Sequence, residues 1–163
     1  FSSEEVIGRP KVEVAAALIA SINGAVEVTA IQKRVGPDDL VGILSGAAAA
    51  VDALDGIPSR FALSDAAAAV KVPLVHGSVA GFAGQVATMG PGAGGFTAIF
   101  GDREHLPEQG VEVSLGNLPG VVGAVASLQT VEVIKILTGR GEPIIGRLLF
   151  MDLEAVTFDF LDI

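Results

Sequence analysis

The sequence predicts an α/β fold in which a mixed sheet lies between layers of helices. The first observation is that short apolar runs alternate with helix-like stretches over residues 47–78, a rhythm typical of parallel strands joined by crossover helices. The second is a change of pattern in the C-terminal third, where a long apolar helix precedes two strands of alternating polar and apolar residues. We therefore expect a parallel front half and antiparallel C-terminal strands. A chain of 163 residues fits one domain, and we predict a single domain over 1–163.

Small aliphatic residues dominate the composition. Half of the chain is hydrophobic, with 21 Gly and no Trp or Tyr, which suits close packing of helices on strands. The net charge is −9 and no basic cluster occurs, so we expect neither nucleic acid nor an anionic membrane as partner. The most hydrophobic region, 115–131, is interrupted by Gly and Pro and is shorter than the ~20 residues of a membrane span. The sequence therefore predicts no transmembrane segment.

The chain has no cysteine. Disulfides, thiolate zinc sites and a cysteine nucleophile are excluded among these residues. With only two His and no H-E-x-x-H motif, a histidine-rich metal site is not expected either.

Pro and Gly positions together with hydrophobic periodicity predict the elements. The helices are expected at 10–22, 37–45, 58–71 and 118–137. The strands are expected at 25–33, 47–51, 73–78, 85–89, 147–151 and 157–161. Between 90 and 117 we expect an irregular segment.

A candidate site lies at Val51 to Arg60. Asp52 and Asp55 follow an apolar run, and Arg60 comes one turn into the helix that Pro58 opens. In an open α/β sheet, ligands bind outside the carboxyl ends of the strands. Asp55 could hold a ribose hydroxyl or a metal–phosphate complex, with Arg60 facing developing negative charge. The alternative is that Asp55 caps the helix and Arg60 pairs with it.

A second candidate is the pair Arg9 and Lys11 at the start of the first helix. Cations there are destabilising, because the N-terminus of a helix carries partial positive charge. A bound phosphate would offset this destabilisation, and phosphates favour helix N-termini. The alternative is two solvated side chains on an exposed first turn.

Two further features are not interpreted as sites. The Gly-rich stretch 90–95 runs into 96–100 without the Lys-Ser/Thr of a phosphate loop, and we interpret it as a flexible turn. His76 lies in an apolar strand. A histidine there is more often a hydrogen-bonded residue of the core or the sheet edge than a residue that binds a ligand.

Four segments, in this order, carry a family resemblance: Ile7 to Lys11, Val51 to Arg60, Pro73 to Val86, and Pro119 to Pro143. In sequence and spacing they resemble the ThiF/MoeB/HesA family, the ubiquitin-activating-like adenylyltransferases. The resemblance implies a Rossmann-like three-layer fold. It also implies binding of ATP and magnesium, and adenylation of the C-terminal glycine of a small ubiquitin-like (sulfur-carrier) protein.

The resemblance also implies roles for single residues. Lys11 matches the lysine that contacts ATP phosphates, and Arg9 lies beside it. Asp55 matches the aspartate near the phosphates and magnesium, and Arg60 lies in the same block, so Asp55 and Arg60 are the expected catalytic residues. A homodimer through the helix at 118–137, a cytoplasmic location and no zinc are expected as well.

Three departures from the family pattern shape the prediction. The family's G-x-G-G-x-G unit would precede Phe1. The Asn that usually follows the family's aspartate is Gly56 here. The family's zinc-binding and catalytic cysteines are absent. We therefore expect a C-terminal portion of such a protein, which turns over no ATP alone. The alternative is a non-catalytic dimerising or protein-binding module. We also expect strand 25–33 to pair directly with strand 47–51, unless another chain supplies the missing strands.

Overall fold

The computed structural model describes residues 3–93, 95–107 and 110–163. The chain forms two compact units, residues 1–35 and 36–163, and each is described by itself.

The first unit contains one helix, α1 (Lys11–Ile22), after a 3-10 turn at Glu4–Val6. Pro10 precedes the helix, where its fixed φ of −58° suits the entry. The N–H of Asn23 donates to the carbonyl of Ile19 and ends the helix. The helix predicted over 10–22 is therefore confirmed, with both boundaries within one residue of the prediction.

The predicted strand over 25–33 is wrong. These residues form no ladder and are exposed, although Val26 and Val28 alternate with polar residues. Alternation favours a strand only where a neighbouring strand can satisfy its backbone N–H and C=O groups. No such neighbour pairs with this segment among the described residues, so the periodicity alone does not make a strand.

The second unit carries the sheet and the remaining helices. Its elements are α2 (Pro37–Leu44), β1 (Ala50–Asp52), α3 (Ile57–Ala69), β2 (Leu74–Ala80), β3 (Ala83–Met89), α4 (Phe96–Phe100), α5 (Glu112–Leu115), α6 (Pro119–Thr138), β4 (Arg147–Asp152) and β5 (Thr157–Asp162). A 3-10 turn at Arg103–His105 lies between α4 and α5. The segment expected to be irregular thus contains short helices, and Gly94, Glu108 and Gln109 within it lie outside the described residues.

The five strands form one sheet in the order β1-β2-β3-β4-β5. β1 pairs with β2 in parallel, and every later pair is antiparallel. The mixed sheet is therefore confirmed, but its parallel part is the single pair joined by α3, because β2 turns directly into β3. The predicted pairing of 25–33 with 47–51 is wrong, since the neighbour of β1 in the described sheet is β2.

Helices cover both faces of this sheet. On β2, the ring of His76 packs against Phe96 and Phe100 of α4. A Cβ added to the next residue, Gly77, would lie 2.5 Å from the side chain of Gln129 in α6. Successive strand residues point to opposite faces, so α4 and α6 lie on opposite sides and the three-layer arrangement is confirmed.

The first strand is shorter and less buried than expected. β1 begins at Ala50 and not at Ala47, and Val51 is 47% exposed. Val51 lies between two buried residues, Ala50 and Asp52. The strand therefore buries one face, and its inward polar residue is Asp52.

Helix α6 confirms the longest predicted element. Gly139 ends it in the left-handed conformation at φ 65°, which glycine adopts without strain. Its buried residues lie on one stripe: Val121, Val125, Gln129 and Glu132. By length and composition α6 could also cross a membrane, yet here that stripe packs on the sheet. The absence of a membrane partner stays a prediction.

Candidate functional site

The candidate site is organised by Asp52, the last residue of β1. Its carboxylate is fully buried, and Oδ2 accepts hydrogen bonds from Arg60 Nη1 and His76 Nδ1, each at 2.7 Å. Oδ1 accepts from the backbone N–H of Leu54 at 3.0 Å. One buried carboxylate thus fixes the turn after β1, the first turns of α3 and the middle of β2.

Arg60 is held inside the protein and not presented at its surface. It is 7% exposed, and Nη1 also donates to the carbonyl of Gly77 at 2.9 Å. The alternative in which Arg60 pairs with Asp55 is wrong, because the carboxylate partner of Arg60 is Asp52. The contact of Arg60 with a reacting group stays a prediction.

The ionisation of Asp52 and His76 follows from their surroundings. Burial raises the pKa of Asp52, but the hydrogen bond from His76 and the charge of Arg60 outweigh it, so its pKa lies below the usual value. Burial is the largest influence on His76 and lowers its pKa, against the opposing effect of Asp52. At neutral pH the site therefore holds an ionised Asp52, a charged Arg60 and a neutral His76.

His76 is a satisfied core histidine, as the sequence analysis interpreted it. It is fully buried, its ring contacts Phe96 at 5.0 Å and Phe100 at 5.5 Å between centroids, and both ring nitrogens have partners. Nδ1 faces Asp52, and Nε2 lies 3.2 Å from Gln85 Nε2. The ring links the end of β1 to β3.

Asp55 is the exposed member of the site. Gly56 and not Asp55 occupies the N-cap of α3, and no side-chain cap bond is made, so the capping alternative is wrong. Within the described residues its carboxylate has no hydrogen-bond or ion-pair partner. An exposed carboxylate without a partner is available to an external cation or donor.

A magnesium ion would have to take most of its ligands from elsewhere. In the part of the chain that the structure describes, no group of three or more His, Asp or Glu residues could hold a metal. Magnesium commonly binds through one or two carboxylates, with phosphates and water completing its shell. Asp55 fits that mode, and it does not fit a metal site made of protein alone.

Two clefts open beside Asp55, within residues 36–163. The larger, about 560 Å³, lies between the β2–β3 face of the sheet and the segment that contains α4 and α5; its polar lining includes Asp55, Arg60, Ser78, Gln85 and Glu112. The smaller, about 220 Å³, reaches Gln129 of α6. Asp55 and Arg60 line both clefts although they do not pair with each other, and their catalytic role stays a prediction.

Arg9 and Lys11 are exposed at the N-terminus of α1. They belong to residues 1–35, whereas Asp55 and Arg60 belong to residues 36–163. Their membership in one site with Asp55 therefore stays a prediction.

Sequence reasoning missed the polar residues that support the site. Gln129 Nε2 donates to the carbonyls of Asp52 at 2.8 Å and Val75 at 3.3 Å, which ties α6 to the end of β1 and the start of β2. Gln85 bonds His76 from β3. The available signal was polar residues within apolar strands and an apolar helix, because buried polar groups are almost always hydrogen-bonded.

Comparisons with known proteins place this arrangement among its relatives. Residues 1–163 match the ThiF family. The chain is 34% identical over 159 residues to the SAMP-activating enzyme E1 of Haloferax volcanii, covering 96% of this chain and 58% of that protein. It is also 34% identical over 173 residues to the sulfur carrier protein adenylyltransferase of Thermus thermophilus, covering 97% of this chain and 60% of that protein.

Solved structures show the same fold at lower identity. The structure of MccB from E. coli superposes with a TM-score of 0.79 at 16% identity, covering 99% of this chain and 49% of that one. PaaA superposes with a TM-score of 0.75 at 19% identity, covering 99% of this chain and 50% of the other. The chain thus spans about half to three fifths of the proteins it matches.

Proposed function

The chain belongs to the ThiF family, and we propose that it forms part of an ATP-dependent adenylyltransferase acting on a small ubiquitin-like carrier protein. The observation that carries this proposal is Asp55. Its carboxylate is exposed and has no partner among the described residues, and a buried polar network fixes the turn after β1 that presents it.

The proposed reaction needs no protein nucleophile. The C-terminal carboxylate of the carrier attacks the α-phosphorus of ATP, the bond to the bridging oxygen breaks, and pyrophosphate leaves with that electron pair. Catalysis then depends on positioning and on neutralising phosphate charge. Magnesium, when bound with ATP, would supply part of that neutralisation, and Asp55 would hold it. Lys11 and Arg9 would contact phosphates from the start of α1.

Relatives support the reaction class. Those at 34% identity include one called an activating enzyme and one called a sulfur carrier protein adenylyltransferase. A molybdopterin-synthase adenylyltransferase of Salmonella typhimurium is 28% identical over 169 residues. Because these proteins are longer than this chain, its activity, ATP, magnesium and the carrier remain proposals.

Nucleotide binding tests the proposed site directly. In the natural protein that contains this chain, Lys11→Ala and Asp55→Ala should each weaken binding of Mg·ATP at least about tenfold, because each removes a charged contact worth about 1.5–3 kcal/mol. Isothermal titration calorimetry provides the dissociation constants.

Asp38→Ala is the matched control, since Asp38 is an exposed carboxylate in the first turn of α2. Binding should be unchanged in that variant. Unchanged binding in Asp55→Ala would remove Asp55 from the nucleotide site.

The second candidate function is a non-catalytic binding or assembly module. It is favoured by Gly56, where the family usually has Asn, and by the absence of every cysteine. Under this alternative the natural protein would not bind Mg·ATP, so the calorimetric measurement above also separates the two functions.

We further propose that a homodimer forms through α6. The side of the helix away from the sheet carries exposed Val131, Ile134 and Leu137, and apolar surface of this kind commonly marks an interface. Ile134→Glu should shift the sedimentation coefficient to that of a monomer. Val156→Glu, at the exposed β4–β5 turn, should leave the dimer intact; a monomeric wild-type protein would contradict the proposal.

A further inference from the structure

We propose that Gln85 is a specificity-determining residue of the larger cleft: its side-chain carbonyl oxygen accepts a hydrogen bond from a backbone N–H of a peptide bound there. His76 and Asp52 fix the orientation of the Gln85 amide. The peptide nature of the ligand rests on the proposed function, whereas the acceptor itself follows from the contacts of Gln85.

The hydrogen-bond directions follow from Asp52. An ionised carboxylate can only accept, so the 2.7 Å contact of Oδ2 with His76 Nδ1 requires a proton on Nδ1. Because the buried ring is neutral, Nε2 carries no proton and accepts. The partner of Nε2, 3.2 Å away, is therefore the NH₂ group of Gln85.

This chain of donors leaves the Gln85 carbonyl oxygen unused. Among the described residues it accepts no hydrogen bond, and Gln85 is half-buried and lines the larger cleft. The amide cannot rotate to present its NH₂ group to the cleft without losing its bond to His76. The cleft therefore contains an acceptor of fixed orientation.

The surroundings of this acceptor make it selective. Its cross-strand partners are Ser78 on β2 and Phe150 on β4, and most other lining residues are apolar. A ligand without a donor would leave the acceptor unpaired in a largely apolar cleft. Sites built to form a hydrogen bond reject such ligands strongly.

A peptide backbone suits the shape and the donor. Ala80 and Ala83 line the cleft, and their methyl side chains leave room for a peptide main chain. An extended peptide carries N–H groups that must find acceptors when they leave water. Asp55 lines the same cleft, so a peptide whose C-terminus reaches Asp55 places its preceding amides in the cleft.

The experiment couples a change in the protein to a change in the ligand. The probe is a fluorescein-labelled peptide of small residues ending in glycine amide, because Asp55 and Glu112 in the cleft would repel a free carboxylate. A set of analogues replaces each internal amide singly by an ester, which deletes one N–H. Binding to the natural protein that contains this chain is measured by fluorescence anisotropy without ATP, for the wild type, Gln85→Met and Gln85→Glu. The control is Gln32→Met, the same exchange at an exposed residue that does not line the cleft.

One ester should weaken binding to the wild type and to the control Gln32→Met by about three- to tenfold, the size of one neutral hydrogen bond. The same ester should cause no loss with Gln85→Met, which has no acceptor. Gln85→Glu keeps an acceptor and should retain sensitivity to that ester, so the test does not depend on Gln85→Met folding. Circular dichroism melts establish the fold of each variant.

An equal loss in the wild type and Gln85→Met overturns the inference, and so does the absence of peptide binding by the wild type. The assay contains no nucleotide, so a failure of adenylation leaves its result intact. Adenylation without coupling at Gln85 would contradict only this inference.

Discussion

At the scale of single residues, two carboxylates three positions apart have opposite environments. Asp52 is buried and paired with Arg60 and His76, whereas Asp55 is exposed and unpartnered among the described residues. A buried carboxylate with several hydrogen bonds serves structure, since removing it leaves Arg60 without its counter-charge. An exposed carboxylate held by a fixed turn is free to act on a ligand.

The buried histidine predicts how stability depends on pH. The pKa of His76 is lowered below 6.5 in the folded protein, so the unfolded chain takes up a proton first as the pH falls. The free energy of unfolding should therefore decrease below about pH 6.5, by at most about 1.4 kcal/mol per pH unit for one proton. Asp52, also lowered, adds a loss only near and below its ordinary value of 3.8.

Urea unfolding between pH 7.5 and pH 5 measures this slope. His76→Gln should flatten it, because the residue that binds the extra proton on unfolding is gone. His105→Gln should keep it, since His105 is the exposed second histidine of the chain. Equal slopes in the wild type and His76→Gln would show that the ring is not held neutral.

Sequence reasoning selected Asp55 and Arg60 as site residues but did not predict that Arg60 pairs with Asp52. The contact between Asp52 and His76 spans 24 positions and exists because the parallel β1–β2 register sets these two residues opposite each other. Periodicity predicts the two strands, but it does not fix the register between them. Their pairing therefore could not be derived from the residues alone.

At the scale of elements, the long helices that begin at a proline were predictable, whereas the short helices α4 and α5 were missed. Helices α1, α3 and α6 begin near Pro10, Pro58 and Pro119, whose fixed φ suits a first turn. These prolines are local signals that can be recognised from the sequence alone. The segment 25–33 failed because strand formation depends on a partner strand.

Two glycines test the contact between α6 and the sheet. A Cβ at Gly84 of β3 would lie 2.7 Å from Val125 and 2.9 Å from Met151, so Gly84→Ala should destabilise the protein by about 1–3 kcal/mol through overpacking. Gly123 of α6 is exposed and a Cβ there meets nothing within 4 Å. Gly123→Ala should stabilise by up to about 1 kcal/mol through helix propensity.

Thermal melts of the two variants measure both effects. Opposite shifts of Tm are expected, since one substitution adds a side chain to a packed interface and the other to open space. A Gly84→Ala protein as stable as the wild type would show that α6 does not pack this closely on β3.

At the scale of the whole molecule, the mixed sheet and the family were predictable, because four separate segments in order carry the resemblance. The fold brings Asp55, Arg60 and Gln85 to one cleft. The chain itself contains no G-x-G-G-x-G loop, so such phosphate contacts do not come from these residues. We propose that this chain supplies the carboxylate and peptide-binding part of an adenylation site.

Carrier-dependent exchange of labelled pyrophosphate into ATP, by the natural protein that contains this chain, tests that account most directly. We predict exchange in the wild type and in Asp38→Ala, and a loss of about 100-fold or more in Asp55→Ala, the size expected for a group that stabilises transition-state charge. Exchange that is undiminished in Asp55→Ala, or absent from the wild type with every carrier tried, would contradict it.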